Sequence, residues 1–192
     1  SLNEYNIKFF FMKKNKNYHF KKITYIGELY PSGSPRKKVL ENLKKQIKTK
    51  PSKFNRVYIS RNKSNRRKIS NEIELIKFLM KYKFKIVYAE KLSFLSQVNL
   101  FSSAKFLIGL HGAGISNILW MKKNTNLLEL KPEKDLYLNC YYNIANLLNI
   151  NYNYLVCKKN NYFKSSKNSD YFVNIDSLNK KLKKILNEKK SN

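Results

Sequence analysis

The sequence predicts an α/β fold built on a doubly wound parallel sheet, and three observations lead there. From residue 57 onward, short runs of Val, Ile, Leu and Tyr recur, each bounded by a turn signal. Between them lie segments of about ten residues with apolar positions at helical spacing. One run passes directly into His111-Gly112-Ala113-Gly114, a turn suited to delivering a buried strand to a helix start. Alternation of this kind is what right-handed crossovers onto a sheet covered on both faces require.

Taken in order, residues 5–12 and 18–26 are rich in Ile, Phe and Tyr and read as two strands joined by a Lys-Asn tract. Tyr30-Pro31-Ser32-Gly33-Ser34-Pro35 breaks the chain, and Val39, Leu40, Leu43 and Ile47 then mark an amphipathic helix ending before Pro51. Residues 1–54 form a lead-in, too short for a second nucleotide-binding domain, and 55–192 form the sheet domain. Within that domain strands are expected at 57–60, 86–88, 106–110, 127–130 and 152–157. Helices are expected at 71–82, 94–103, 115–121, 137–148 and 175–186, which makes about five strands in all. Asn71 followed by Glu74 reads as a capping box opening its helix.

Composition narrows the function classes. The 192 residues carry 40 Lys and Arg against 12 Asp and Glu, a formal charge of +28 that attracts polyanions, anionic membrane surfaces and phosphorylated small molecules. Lys, Asn, Ile and Tyr are abundant along the whole chain, which makes much of the charge a compositional bias. Zinc-finger spacing, an aromatic-rich basic RNA-binding signature and basic-region heptads are all missing from the sequence, which argues against a nucleic-acid partner. Cys140 and Cys157 are too few for a disulfide scaffold or a four-cysteine zinc site and read as buried thiols of a reducing compartment. Phe9-Phe10-Phe11-Met12 is far shorter than a spanning helix and has no signal-peptide pattern. The expected location is cytoplasmic, with charge as the means of any membrane association.

In a doubly wound sheet, ligands bind beyond the carboxyl ends of the strands. His111-Gly112-Ala113-Gly114 stands at such an end, where glycine lets backbone approach a ligand and first-turn amides face it. A diphosphate suits this turn, and so does plain tight-turn geometry with no ligand. The turn is neither Gly-x-Gly-x-x-Gly nor a Walker A loop, which weakens dehydrogenase and ATPase readings. His111 can donate to a phosphate or act as an acid or base near neutral pH. Arg61 follows a strand directly, and Arg66 and Arg67 follow in the next loop, where guanidinium forks suit phosphate. Glu129 interrupts an apolar strand, where an unpaired carboxylate is costly. It either binds a ribose or is held by a basic partner.

Several of these residues together resemble glycosyltransferase family 61. They are Val57-Tyr58-Ile59-Ser60-Arg61, Arg67-Lys68-Ile69-Ser70-Asn71-Glu72-Ile73-Glu74-Leu75, Leu92-Ser93-Phe94 with Gln97, His111 through Asn117, and Leu128-Glu129-Leu130. The match covers roughly residues 55–157, the nucleotide-sugar half of that family, and the N-terminal 55 or so residues are where the chain departs from it. The resemblance implies a B-type glycosyltransferase fold of two Rossmann-like domains, inversion at the anomeric carbon and no required metal or cofactor. It implies a nucleoside diphosphate sugar, UDP-linked by analogy, as donor, and a hydroxyl on a glycan, lipid-linked glycan or protein as acceptor. By the same resemblance, Arg61 and Arg67 bind the donor diphosphate and His111, Gly112, Ala113 and Gly114 form the loop beneath it. Ser116 and Asn117 lie in the first turn of the next helix, Glu129 sits near the nucleoside, and His111 is the catalytic candidate. The acceptor base comes from the other domain, supplied by a longer chain or by a partner subunit. A basic polyanion-binding protein and a non-catalytic scaffold of the same fold are the alternatives.

Overall fold

A computed structural model describes residues 14–21, 35–50, 52–64, 67–160 and 170–187 of the chain. Its sheet is built from β1 (Arg56–Ile59), β2 (Lys85–Val87), β3 (Phe106–Leu110), β4 (Asn126–Pro132), β5 (Asn151–Lys159) and β6 (Tyr171–Phe172). The strand order is β2-β1-β3-β4-β5-β6, with the first five strands parallel and β6 antiparallel to β5. The chain starts near the middle, moves one way to β2 and then the other way to β3. The crevice between β1 and β3 is therefore the topological switch point, where this class of sheet binds ligands.

The sequence explains why β3 and β4 are central. Every residue of both is buried, which suits runs such as Phe106-Leu107-Ile108-Gly109-Leu110 that are apolar on both faces. Strand alternation then divides the core into two layers. Val57, Ile59, Leu107 and Leu127 face one layer; Tyr58, Ile108, Leu128 and Leu130 face the other. The first layer is closed by α3 (Phe94–Ser103) and α4 (Cys140–Leu147), the second by α2 (Glu72–Lys81) and α5 (Ile175–Asn187). Burying each such Leu or Ile is worth about 1.5–3 kcal/mol. The amphipathic α1 (Lys37–Gln46) buries Leu40 against the first layer and donates from Lys44 Nζ to Met121 O at 2.7 Å. Burial lowers the Lys44 pKa.

Five expectations change. The helix expected at 115–121 is a 3₁₀ helix, Ala113–Trp120. Its three-residue turn stacks Ile115 and Ile118 in one column, both at most 1% exposed, and the buried Met121 follows as the extended residue that ends it. The helix expected from 137 begins at Cys140, after a 3₁₀ turn at Glu133–Asp135. Asn71 does not cap α2 with its side chain. Its amide instead donates to Val173 O at 2.8 Å and accepts from Val173 N at 3.1 Å. The sixth strand escaped the sequence because two residues in a polar loop carry no periodicity. Of the lead-in strands, 5–12 and 22–26 lie outside the described residues, and Tyr18–Lys21 form no strand. Among the described residues no helix is long and apolar enough to cross a membrane.

Candidate functional site

The carboxyl ends of β1 and β3 open on a cavity of about 470 Å³ lined in part by Ser60, Arg61, Glu90, Gln97, Gly114 and Asn117. Its floor is the turn after β3. Gly112 has φ +155°, a conformation that side chains rarely adopt, and a Cβ there would lie 3.0 Å from Arg61 Nη1 and 3.6 Å from Arg67 Nη2. Two guanidinium groups thus converge on one glycine. Close approach recurs at Gly114, where a Cβ would meet Ile59 Cγ2 at 3.2 Å. The first-turn amides of Ala113 and Gly114 precede any acceptor the helix can offer, so they are available to a ligand.

Arg61 is held by its own loop. Its Nε donates to Arg67 O at 3.0 Å and its Nη2 to Ser64 Oγ at 2.8 Å. Burial and the Arg67 charge push its pKa down, with Glu90 and Glu72 acting the other way. Two like charges kept this close and half-buried favour an anion between them. Arg67 itself sits at φ 53°, in the left-handed region that costs an ordinary residue roughly 1–3 kcal/mol. The conformation is fixed by the segment around β6: Tyr171 N donates to Lys68 O at 2.9 Å, Ser70 N to Tyr171 O at 2.9 Å, and Lys68 N to Asp170 Oδ1 at 3.0 Å. The short strand that the sequence did not announce therefore positions one of the two arginines. Arg66 lies outside the described residues.

Beneath Arg61 is Glu72, 5% exposed. Its Oε1 accepts from Tyr58 OH at 2.7 Å and from Arg61 N at 3.1 Å, while Oε2 is buried without a hydrogen bond among the described residues. Burial and this carboxylate push the Tyr58 hydroxyl pKa well above its usual value. Nothing in the sequence marks Glu72 apart from the other acidic residue of the helix start, Glu74. Only the packing of α2 against β1 shows that it anchors the strand end.

His111 and Glu129 form the second half of the site. His111 is 7% exposed and Glu129 1%. His111 Nδ1 lies 2.5 Å from Glu129 Oε1, and Tyr152 OH donates to Glu129 Oε2 at 2.6 Å. Burial and the Glu129 carboxylate drive the Tyr152 hydroxyl pKa far up, so it remains a donor. The sequence places Glu129 near the nucleoside; in the structure its two oxygens meet His111 and Tyr152. With Nδ1 committed to Glu129, Nε2 is the His111 nitrogen left for a ligand. The ring packs edge-on against Tyr141, centroids 5.2 Å apart. Tyr141 is hydrogen-bonded to the otherwise exposed Ser116, and burial raises its hydroxyl pKa. Asn117 donates to Gln97 Oε1 at 3.0 Å and to Gly114 O at 3.1 Å, tying the turn to α3. Tyr141 and Tyr152 were not singled out in the sequence; the one signal for them is that a strand-interior carboxylate must have partners.

Arg61, Ala113 and Gly114 thus line one cavity, Arg67 approaches the same turn at Gly112, and His111 with Glu129 lies at the adjoining β3–β4 ends. Compared with known proteins, the chain matches the family model described as Glycosyltransferase 61 over residues 2–128. The match begins well before residue 55, so the lead-in lies inside it, and it ends at Leu128. The chain is also 32% identical over 117 residues to the EGF domain-specific O-linked N-acetylglucosamine transferase of Drosophila melanogaster. That alignment covers 59% of this chain and 22% of the relative, so the chain corresponds to a small part of the longer protein.

Proposed function

Because the chain belongs to the glycosyltransferase 61 family, we propose that it is the nucleotide-sugar-binding half of an inverting glycosyltransferase. The observation that carries this reading is the convergence of Arg61 and Arg67 on Gly112 at the switch point of the sheet. There the β-phosphate oxygen of a nucleoside diphosphate sugar meets two guanidinium forks and the amides of Ala113 and Gly114. In the reaction, an acceptor hydroxyl oxygen attacks the anomeric carbon from the face opposite the diphosphate. The bond from that carbon to the phosphate oxygen breaks, and the electron pair leaves with the diphosphate. The acceptor proton passes to a base assigned to the rest of the enzyme. Fixed cationic donors stabilise the charge that grows on the leaving group and do not have to reorganise to do so.

His111 presents Nε2 to the diphosphate, and Glu129 orients the ring without contacting the ligand. The donor is a UDP sugar, and the acceptor is a hydroxyl on a glycan, a lipid-linked glycan or a protein. The fly relative supports the last of these, since it is named for a transferase specific to EGF domains. The chemistry assigned to these residues needs neither metal nor cofactor.

The test is thermal protection by UDP, GDP, CDP and TDP sugars. A ligand at about 100 times its Kd adds about 2.7 kcal/mol. For a chain of this size that raises Tm by roughly 5–10 °C. Arg67→Ala and His111→Ala should each reduce the shift. If none of the four nucleotide classes protects the protein, the reading is wrong.

A further inference from the structure

Lys131, near the end of β4, is 4% exposed, yet among the described residues no carboxylate pairs with it. Its ammonium lies 3.5 Å from Asn139 Oδ1, at the limit of a hydrogen bond, and 5.8 Å from the centroid of the Tyr154 ring. A buried cation so lightly partnered is costly unless an anion completes its shell. Lys181 of α5 comes to the same ring, 5.9 Å from its centroid. The two lysines line one hollow of about 410 Å³ together with Asn139, Tyr142, Tyr152 and Tyr154. Its three tyrosines stand in a row, with centroids 5.5 Å apart for Tyr142–Tyr152 and 6.3 Å for Tyr152–Tyr154. Tyr142 and Tyr154 are about half exposed.

Aromatic faces next to cations and amides suit a sugar that carries a negative charge. The rings stack on the apolar face of the sugar, the amides meet hydroxyls, and the ammonium groups meet the charge. A second hollow of about 650 Å³ shares Tyr154 and Lys181 and continues past Lys158 and Phe172 along β5. The first hollow is also joined to the donor site, because Tyr152 on its wall hydrogen-bonds Glu129, which in turn holds His111. We propose that this hollow is the acceptor subsite and takes an acidic sugar, with its anionic group between Lys131 and Lys181 and its ring on Tyr154. The assignment to an acceptor rests on the glycosyltransferase reading; the preference for an acidic sugar rests on the two lysines. Single-stranded nucleic acid has similar chemistry, but the link through Tyr152 to the donor site favours a glycan.

The test is amide NMR of the 192-residue chain. It is titrated with a glucuronate-terminated disaccharide, its neutral glucose-terminated counterpart, a disaccharide ending in hexose 6-phosphate, and a short single-stranded oligonucleotide. The expected result is shifts centred on Tyr154 and Lys181, with at least one acidic disaccharide binding about tenfold more tightly than the neutral one, the worth of one charge-assisted hydrogen bond. The stronger of the two acidic ligands shows whether the charge is carboxylate or phosphate. Lys181→Gln, on the surface of α5, should remove that tenfold preference even if Lys131→Gln does not fold, and Tyr154→Ala should weaken acidic and neutral disaccharides alike. Equal affinity for acidic and neutral disaccharides overturns the proposal, as does tighter binding of the oligonucleotide at these residues. UDP binding is measured on the same samples. If UDP binds and acidic sugars do not, this inference alone fails; if acidic sugars bind and UDP does not, the donor reading fails and the anionic sugar site stands.

Discussion

His111 Nδ1 and Glu129 Oε1 lie 2.5 Å apart, joined across neighbouring parallel strands whose backbone is locked by His111 N donating to Leu130 O at 2.9 Å. Gly109 is the register partner of Glu129, so both side chains project on the same face of the sheet, towards α4. The pairing thus follows from strand register, and Tyr152 closes it from β5.

Glu129→Gln keeps the size of the side chain and removes the charge that orients His111. We expect donor turnover, measured as nucleoside diphosphate release, to fall on the order of a hundredfold. UDP affinity should change much less. Tyr152→Phe strips one partner from a buried carboxylate and should cost about 1–3 kcal/mol of stability in urea unfolding. An unchanged turnover in Glu129→Gln would show that His111 needs no orientation.

Arg61 and Arg67 should separate in their effects. Arg67→Ala should weaken UDP binding in calorimetry about tenfold or more, as expected for one charge-assisted contact, with little change in Tm. Arg61→Ala should weaken it similarly and also lower Tm, because Arg61 bonds Arg67 O and Ser64 Oγ. Arg61→Lys should rescue neither effect, since an ammonium cannot make the fork.

Gly112→Ala forces a side chain into φ +155° and sets its Cβ 3.0 Å from Arg61 Nη1. Backbone strain alone predicts a loss of about 1–3 kcal/mol. The displaced guanidinium should also cost nucleotide affinity, so Tm and Kd should worsen together. Loss of Tm with intact UDP binding would separate the glycine from the site.

Alkaline stability has a definite sign. Burial pushes the Cys157 thiol up to about 12 from an ordinary value near 9, and raises the hydroxyls of Tyr58, Tyr141, Tyr152 and Tyr171 above 10. The unfolded chain loses these protons first, so it binds fewer protons than the folded chain and stability falls as pH rises from about 9. Lys44, whose pKa is lowered by burial, acts in the opposite direction, but as a single half-buried group. Urea midpoints should decline as pH rises from about 9 to 11. In the folded protein at pH 8, iodoacetamide should label the partly exposed Cys140 and spare Cys157, which is buried.

The sequence by itself determined the layered α/β architecture, the position of most strands and helices, and the Arg61, Arg67 and His111–Gly114 cluster. These were legible because hydrophobic period and turn chemistry are local properties of the chain. The tertiary structure alone decided the rest. Strand order and register brought Glu129 against His111. Tyr171, bridging in parallel to Ile69 and bonded to Lys68 and Ser70, fixed the loop that carries Arg67, and residues 113–120 formed a 3₁₀ helix rather than the expected α-helix. Each depends on groups far apart in the chain, joined by burial and by hydrogen bonds that leave no periodic trace in the sequence.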